Sequence, residues 1–267
     1  MTALAAHDHA RRAYDVFAPH YDAFTAHHDY DGWTATLERL AQAAGLRGRR
    51  LLDVACGTGK SFLPFLARGY DVTACDVSER MLAFAAAKAG DRARLERHDM
   101  RRLPVLGSYD LVTCLDDALN YLHSSAELEA TLAGIARNLA PAGVAVFDAN
   151  ALSMYRGFFA ALSVLPAEDR VLVWRGDTSP QAPPGVLARA TVEALVRRDD
   201  GSWNSETHAH LQRHHPEPVV RAAAGAAGLR IAARHGMTPD GAIHDGFGEA
   251  EHSKVLYVLA AAEAGER

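Results

Sequence analysis

The segment Leu51-Leu-Asp-Val-Ala-Cys-Gly-Thr-Gly-Lys-Ser61 sets a carboxylate, Asp53, beside a small residue, Ala55, and two glycines, Gly57 and Gly59. Three chemistries compete for such a stretch. A phosphate-wrapping loop, G-x-x-x-x-G-K-S, needs glycine where this chain has Val54, so the turn that wraps the phosphate is missing. A dinucleotide fingerprint, G-x-G-x-x-G, fits Gly57 and Gly59 but finds Phe62 in third place, which removes the close helix packing a pyrophosphate requires. The remaining pattern suits a ligand that carries a carboxylate beside an ammonium and no phosphate.

S-adenosylmethionine is such a ligand. Gly57 and Gly59 would let the backbone approach it and aim amides and a helix N-terminus at its carboxylate, while Asp53 attracts its ammonium directly or through water. Downstream acids fit the same ligand. Asp76 follows Gly59 by 17 positions, where two carboxylate oxygens can hold a ribose diol. Met81 is placed to pack on adenine, and Asp99, in Arg97-His-Asp-Met100, to accept from the adenine amino group. Each acid alone is an ordinary strand-end or cap residue. Their order at successive strand ends is the signal, because α/β sheets bind ligands there.

These residues need an alternating scaffold, and the chain supplies one. Apolar runs predict strands at Arg50 to Ala55, Tyr70 to Asp76, Ala93 to Arg97, Tyr109 to Leu115 and Gly143 to Ala149. Helices are expected near Lys60 to Arg68, Glu79 to Ala89 and Ala126 to Leu139, which implies a parallel sheet. Two amphipathic helices, His9 to Phe24 and Trp33 to Ala43, come first. Beyond Asn150 a helix near Ser153 to Leu165 leads to three antiparallel β stretches, Arg170 to Asp177, Val186 to Arg197 and Trp203 to His214. The core then resumes with a helix at Pro216 to Gly228 and strands Leu229 to His235 and Lys254 to Ala260. The expected organisation is an N-terminal helical lid at 1–48, a core at 49–150 and 216–262, and an inserted substrate cover at 151–215.

At 267 residues the chain can bury a full core. Its 28 basic against 33 acidic residues give a net charge of -5 and no concentrated basic face, so nucleic acid is disfavoured as a partner. No apolar run approaches the length of a membrane span and the start lacks signal-peptide order, so no membrane association and a cytoplasmic location are expected. Cys56, Cys75 and Cys114 have no C-x-x-C spacing and read as reduced thiols. His208, His210 and His214 share one strand face at period two. Zinc is one use for them, but without a carboxylate or cysteine companion pocket-lining polar residues are preferred, and no metal is expected. His27-His28 is similarly ambiguous.

Taken together, LLDVACGTGK, TACDVSERML, RHDM, YDLVTCLDDALNYL and VAVFDAN resemble the class I S-adenosylmethionine-dependent methyltransferases. The match covers Tyr14 to about Asn150 and extends more weakly to the last strand. The resemblance implies a Rossmann-like α/β sheet of seven strands in order 3-2-1-4-5-7-6, strand 7 antiparallel. It implies cofactor contacts at Asp53, Ala55, Gly57, Gly59, Asp76, Asp99 and Leu115, with Met81 and Met100 beside them. Ala55 stands where the family has a third glycine. Tyr14-Asp-Val-Phe-Ala-Pro-His-Tyr21-Asp22 is similar to the N-terminal segment of glycine and amino-sugar N-methyltransferases, which closes over the cofactor through residues such as Tyr14 and Tyr21. A permanently docked helix, held by Phe17 and Phe24, is the alternative.

The chemistry implied is in-line displacement at a sulfonium methyl, which rests on alignment and exclusion of water. An amine needs no base, whereas a hydroxyl gains from one. Asp117 and Asn120, after the fourth strand, are candidates to orient a small-molecule acceptor nitrogen or oxygen, or Asp116 or Asp117 simply caps the next helix. The acceptor is expected between Asp117-Asn120 and the insert, with His208, His210 or His214 facing it, His210 as the candidate base. Secondary-metabolite methylation is the leading function. A protein using the cofactor structurally or for a non-methylating reaction such as cyclisation, or as a regulatory module, keeps the same motifs, and a homodimer is left open.

Overall fold

The computed structural model describes residues 3–166 and 169–262. Two helices open the chain, α1 (Ala3–Phe24) and α2 (Tyr30–Ala43), the second capped by Asp29, whose side chain accepts from the Gly32 amide. Strands and helices then alternate: β1 (Arg50–Val54), α3 (Leu63–Ala67), β2 (Asp71–Asp76), α4 (Glu79–Ala89), β3 (Ala93–Arg97), β4 (Tyr109–Cys114), α5 (Ser125–Asn138) and β5 (Leu139–Asn150). Ser78 and Ser124 cap α4 and α5 with hydroxyls that accept from the amides of Met81 and Glu127. In β1 every residue from Leu51 to Val54 is buried, as befits a parallel strand covered on both faces.

The second half holds α6 (Leu152–Arg156), β6 (Leu162–Pro166), β7 (Arg170–Gly176), β8 (Leu187–Arg197), β9 (Trp203–Arg213), α7 (Glu217–Ala226), β10 (Leu229–Met237), β11 (Ile243–Asp245) and β12 (Lys254–Ala261). The main sheet runs β11-β10-β12-β5-β4-β1-β2-β3, with β12 antiparallel to both neighbours. The expected seven-strand order is embedded in it. The difference is β11, a three-residue eighth strand that pairs Gly236 with His244 and Met237 with Ile243 at the edge.

The inserted element is a separate antiparallel sheet, β6-β7-β8-β9. The single helix expected from Ser153 to Leu165 is instead the short α6, a 3-10 turn at Phe158–Ala160 and the edge strand β6. Gly157 breaks the helix, and Leu162, Val164 and Pro166 then alternate outward in extended backbone while paired to β7. The insert's inner face carries Leu172, Trp174, Ala190 and Val192 and packs with Tyr155, Phe159 and Phe17 of α1. Helix α1 thus lies between the insert and the carboxyl ends of the main sheet.

The β1-α3 connection shows why its small residues matter. Gly59 has φ +88, and a Cβ there would stand 2.9 Å from the Phe62 ring. Ala55 adopts φ 58 although it carries a Cβ. Left-handed backbone costs an L residue roughly 1–2 kcal/mol, partly offset by the freedom glycine adds to the unfolded chain. Gly59→Ala is therefore expected to lower unfolding stability by about 2 kcal/mol, whereas Ala55→Gly should raise it by up to about 1 kcal/mol; urea denaturation measures both.

Candidate active site

A cleft of about 820 Å³, counting its open mouth, lies at the carboxyl ends of β1, β2 and β4. Tyr14, Tyr21, Ala55, Gly57, Asp76, Asp99, Met100 and Leu115, all expected from sequence, line it. At its centre is Asp76, 7% exposed, where Oδ1 accepts from the Ser78 amide at 2.8 Å and Oδ2 from the Gly57 amide at 2.9 Å. Each oxygen keeps a lone pair for a ribose hydroxyl, so the carboxylate is pre-aimed for a diol. Burial pushes the Asp76 carboxyl up to about 6, against the pull of these amides.

Other expected contacts are placed differently. Asp53 is fully buried behind the loop, its oxygens taken by the Ser61 and Thr113 hydroxyls at 2.6 Å, and burial pushes its carboxyl up to about 7. It braces the loop from behind and does not line the cleft, so a ligand ammonium would meet it only through the loop or through water. The Gly57 amide is spent on Asp76 and the Gly59 amide on the Cys56 carbonyl, so neither points at a ligand carboxylate. Met81 is completely buried and does not line the cleft; Val77 lines it instead. Asp99 does line it, with a bidentate ion pair to Arg101 at 2.8 and 2.9 Å.

Helix α1 roofs the cleft and is latched at several points. The Ser78 hydroxyl donates to Asp15, the Thr58 hydroxyl to Asp22 and the Tyr21 hydroxyl to Asp116. Lys60 donates to the Thr25 carbonyl and hydroxyl at 2.8 Å, and Lys88 pairs with Asp22. On its other side Phe17 packs on His208 and Phe24 on Trp174. The helix carries features of both expectations, docked aromatics and breakable polar latches.

A second, larger chamber of about 2,140 Å³, again counting its mouth, lies between α1, α2 and the insert. Tyr14, Tyr21, Asp116 and Tyr121 line both spaces, so the two cavities share one wall. Asp116 is the residue that sequence reading passed over in favour of Asp117. Its Oδ2 accepts from Tyr30 at 2.7 Å and Tyr21 at 3.1 Å, and Oδ1 has no protein partner among the described residues. Aromatic Phe158, Phe159 and Trp174 form the far wall.

The sequence-proposed catalytic residues divide. Asp117 lines the chamber, but Lys254 occupies its Oδ1 at 2.7 Å and Gln212 its Oδ2 at 2.7 Å. Asn120 is fully buried and lines neither cavity: its Oδ1 accepts from the Asn150 amide and its Nδ2 donates to the Arg213 carbonyl, so it braces the loop. His210 lines the chamber, hydrogen-bonded through Nδ1 to the Tyr121 hydroxyl at 2.6 Å, and burial holds its pKa well below the usual imidazole range. His208 and His214 lie outside the chamber lining; His214 accepts from the Gly185 amide and faces Glu249. Lys254 and Gln212 were not singled out from sequence. The available signal was that only three of the 28 basic residues are lysines, and Lys254 sits in an apolar strand run.

Comparison with known proteins agrees with this fold. The methyltransferase domain family matches residues 51–143. A protein of Geobacillus sp. (strain WCH70) assigned as a methyltransferase is 30% identical over 203 residues, 74% of this chain and 81% of that one. The dTDP-3-amino-3,6-dideoxy-alpha-D-glucopyranose N,N-dimethyltransferase of Streptomyces fradiae is 36% identical over 121 residues, 45% of this chain and 47% of that one. This chain thus spans about half the length of that relative. In fold, it superposes on an S-adenosylmethionine-dependent methyltransferase from Clostridium acetobutylicum ATCC 824 with TM-score 0.78 and 21% identity, covering 92% of this chain and 98% of that one.

Two measurements follow. On the expectation that the Asp76 carboxylate holds the ribose, and with burial pushing its carboxyl up to about 6, S-adenosylhomocysteine affinity should be flat above pH 7 and fall up to tenfold per unit below about 6. Asp76→Ala should weaken binding by about 1.5–3 kcal/mol and abolish that pH dependence in calorimetry. Amide exchange over residues 10–30 should slow when S-adenosylhomocysteine is added if the latches on α1 open; identical protection with and without it means a permanently docked helix.

Proposed function

The chain belongs to the class I S-adenosylmethionine-dependent methyltransferases, and on that premise we propose that it methylates the nitrogen of a small amine held at Asp116. The observation that carries the reading is the free Oδ1 of Asp116 in the wall common to the two cavities. When bound, the cofactor supplies an electrophilic methyl on sulfur. Asp116 accepts a hydrogen bond from the acceptor N–H and thereby orients the nitrogen lone pair; Tyr21 and Tyr30 fix the carboxylate by donating to its other oxygen. Helix α1 and the insert cover the junction and exclude water.

Nitrogen is favoured over oxygen because His210 and Asp117 are poorly placed to take a hydroxyl proton, which would leave that task to the Asp116 carboxylate. Transfer to a hydroxyl benefits from proton removal, but His210 is 1% exposed, engaged at Nδ1 and a poor proton acceptor. Asp117 is neutralised by Lys254. A neutral amine attacks without a base and needs only to be held. Aromatic walls beside the polar Gln212 and Asn150 suit a ring that has apolar faces and polar edges, and an amino sugar is such a ring. The amino-sugar substrate in the name of the Streptomyces fradiae relative supports the same class.

The test is a mass-spectrometric screen of amines, amino sugars and their hydroxyl-matched analogues for a gain of one methyl. Amines alone are expected to react. Asp116→Asn should lower kcat/KM for the amine about 10- to 100-fold while changing S-adenosylhomocysteine affinity little. Methylation of the hydroxyl analogues in preference to the amines would refute the reading.

A further inference from the structure

Resting on the assignment of Asp116 to the acceptor nitrogen, we propose that Lys254 and Gln212 are positioning residues for methyl transfer. They hold the Asp116-Asp117 turn in its left-handed backbone, and so aim Asp116 at the cavity junction only while the inserted sheet is docked. The turn is unusual in itself. Asp116 has φ 58 and Asp117 φ 51, two consecutive Cβ-bearing residues in a region that L residues disfavour. Asp117 precedes the short helical turn Ala118–Tyr121 without making a side-chain cap bond to it. Local hydrogen bonding by that side chain therefore does not secure the conformation.

The restraint comes from three distant strands. The Asp117 amide donates to Asp148 Oδ2 of β5 at 3.0 Å. Lys254 of β12 donates to that same Asp148 oxygen at 2.8 Å and to Asp117 Oδ1 at 2.7 Å, gripping the turn by side chain and, through Asp148, by backbone. Gln212 of β9 donates to Asp117 Oδ2 at 2.7 Å, and its Oε1 accepts from Asn150 Nδ2 at 2.9 Å. A Lys254-Asp148 pair alone would join β12 to β5, which already share a full ladder. The convergence of further bonds on Asp117, one of them from the insert, gives the cluster its second role. When β9 lifts away, Asp117 loses half of its side-chain restraint, and the neighbouring Asp116 loses its aim. Closure of the acceptor chamber and alignment of the acceptor nitrogen are thereby coupled.

The test compares the wild-type protein with Gln212→Leu and Lys254→Met by amide exchange, with S-adenosylhomocysteine calorimetry alongside. Gln212→Leu is expected to speed exchange over residues 116–121 at least tenfold, leave β1 and β2 protection unchanged, and keep S-adenosylhomocysteine affinity within threefold. Lys254→Met should do so more strongly; if it does not fold, Gln212→Leu decides alone. With the amine acceptor identified by the screen, Gln212→Leu should lower kcat at least tenfold while KM for S-adenosylmethionine stays within twofold. Unchanged exchange at 116–121 in Gln212→Leu, or a rise spread evenly over the protein, overturns the proposal. Local loosening together with full activity of Asp116→Asn would uphold the control of the turn and defeat the assignment of Asp116 to the acceptor.

Discussion

Lys254, with its side chain 8% exposed between two carboxylates, is the constraint around which the site is arranged. Asp117 and Asp148 keep it protonated well above the ordinary lysine range despite its burial. Such a cluster adds little net stability, because desolvation consumes most of the Coulomb attraction, but losing one member strands a buried charge at a cost of about 3–5 kcal/mol. Its value is geometric. It fixes a backbone turn that is otherwise disfavoured, at the wall shared by the cleft and the larger chamber.

The same logic extends to the roof. All three lysines of this arginine-rich chain bind around the cleft: Lys254 beneath the turn, Lys60 to Thr25 and Lys88 to Asp22 at the end of α1. An ammonium is compact and reaches a carbonyl or one carboxylate oxygen without the wide fork of a guanidinium. The contacts of α1 with the core side are mostly polar latches, whereas Phe17 and Phe24 pack against His208 and Trp174 of the insert.

Much of this was legible in the sequence because it depends on chain-local pattern. Strand-helix alternation placed Asp76, Asp99 and Leu115 at successive strand ends, and those three line the cleft. Roles that depend on partners distant in the chain were not legible. Asp53 reads as a direct ligand contact until it is seen fully buried behind the cleft lining, bonded to the Ser61 and Thr113 hydroxyls. Met81 lies on α4 in the right place, but helical phase turns it fully into the core. Asn120 and Asp117 were found in the right loop, yet their partners, Arg213, Gln212 and Lys254, come from 93 to 137 positions away. The apolar run Phe158-Phe-Ala-Ala-Leu-Ser-Val-Leu165 suits helix or edge strand equally, and only pairing with β7 selects the strand.

That the two cavities meet at one wall can be observed directly. S-adenosylmethionine labelled with ¹³C at the methyl, bound to the protein, should show nuclear Overhauser contacts from that methyl to the ring protons of Tyr21 and Tyr121, which line both spaces. Contacts instead to His98 and Arg101, with none to either tyrosine, would put the methyl at the opposite end of the cleft and contradict the shared wall as the place of transfer.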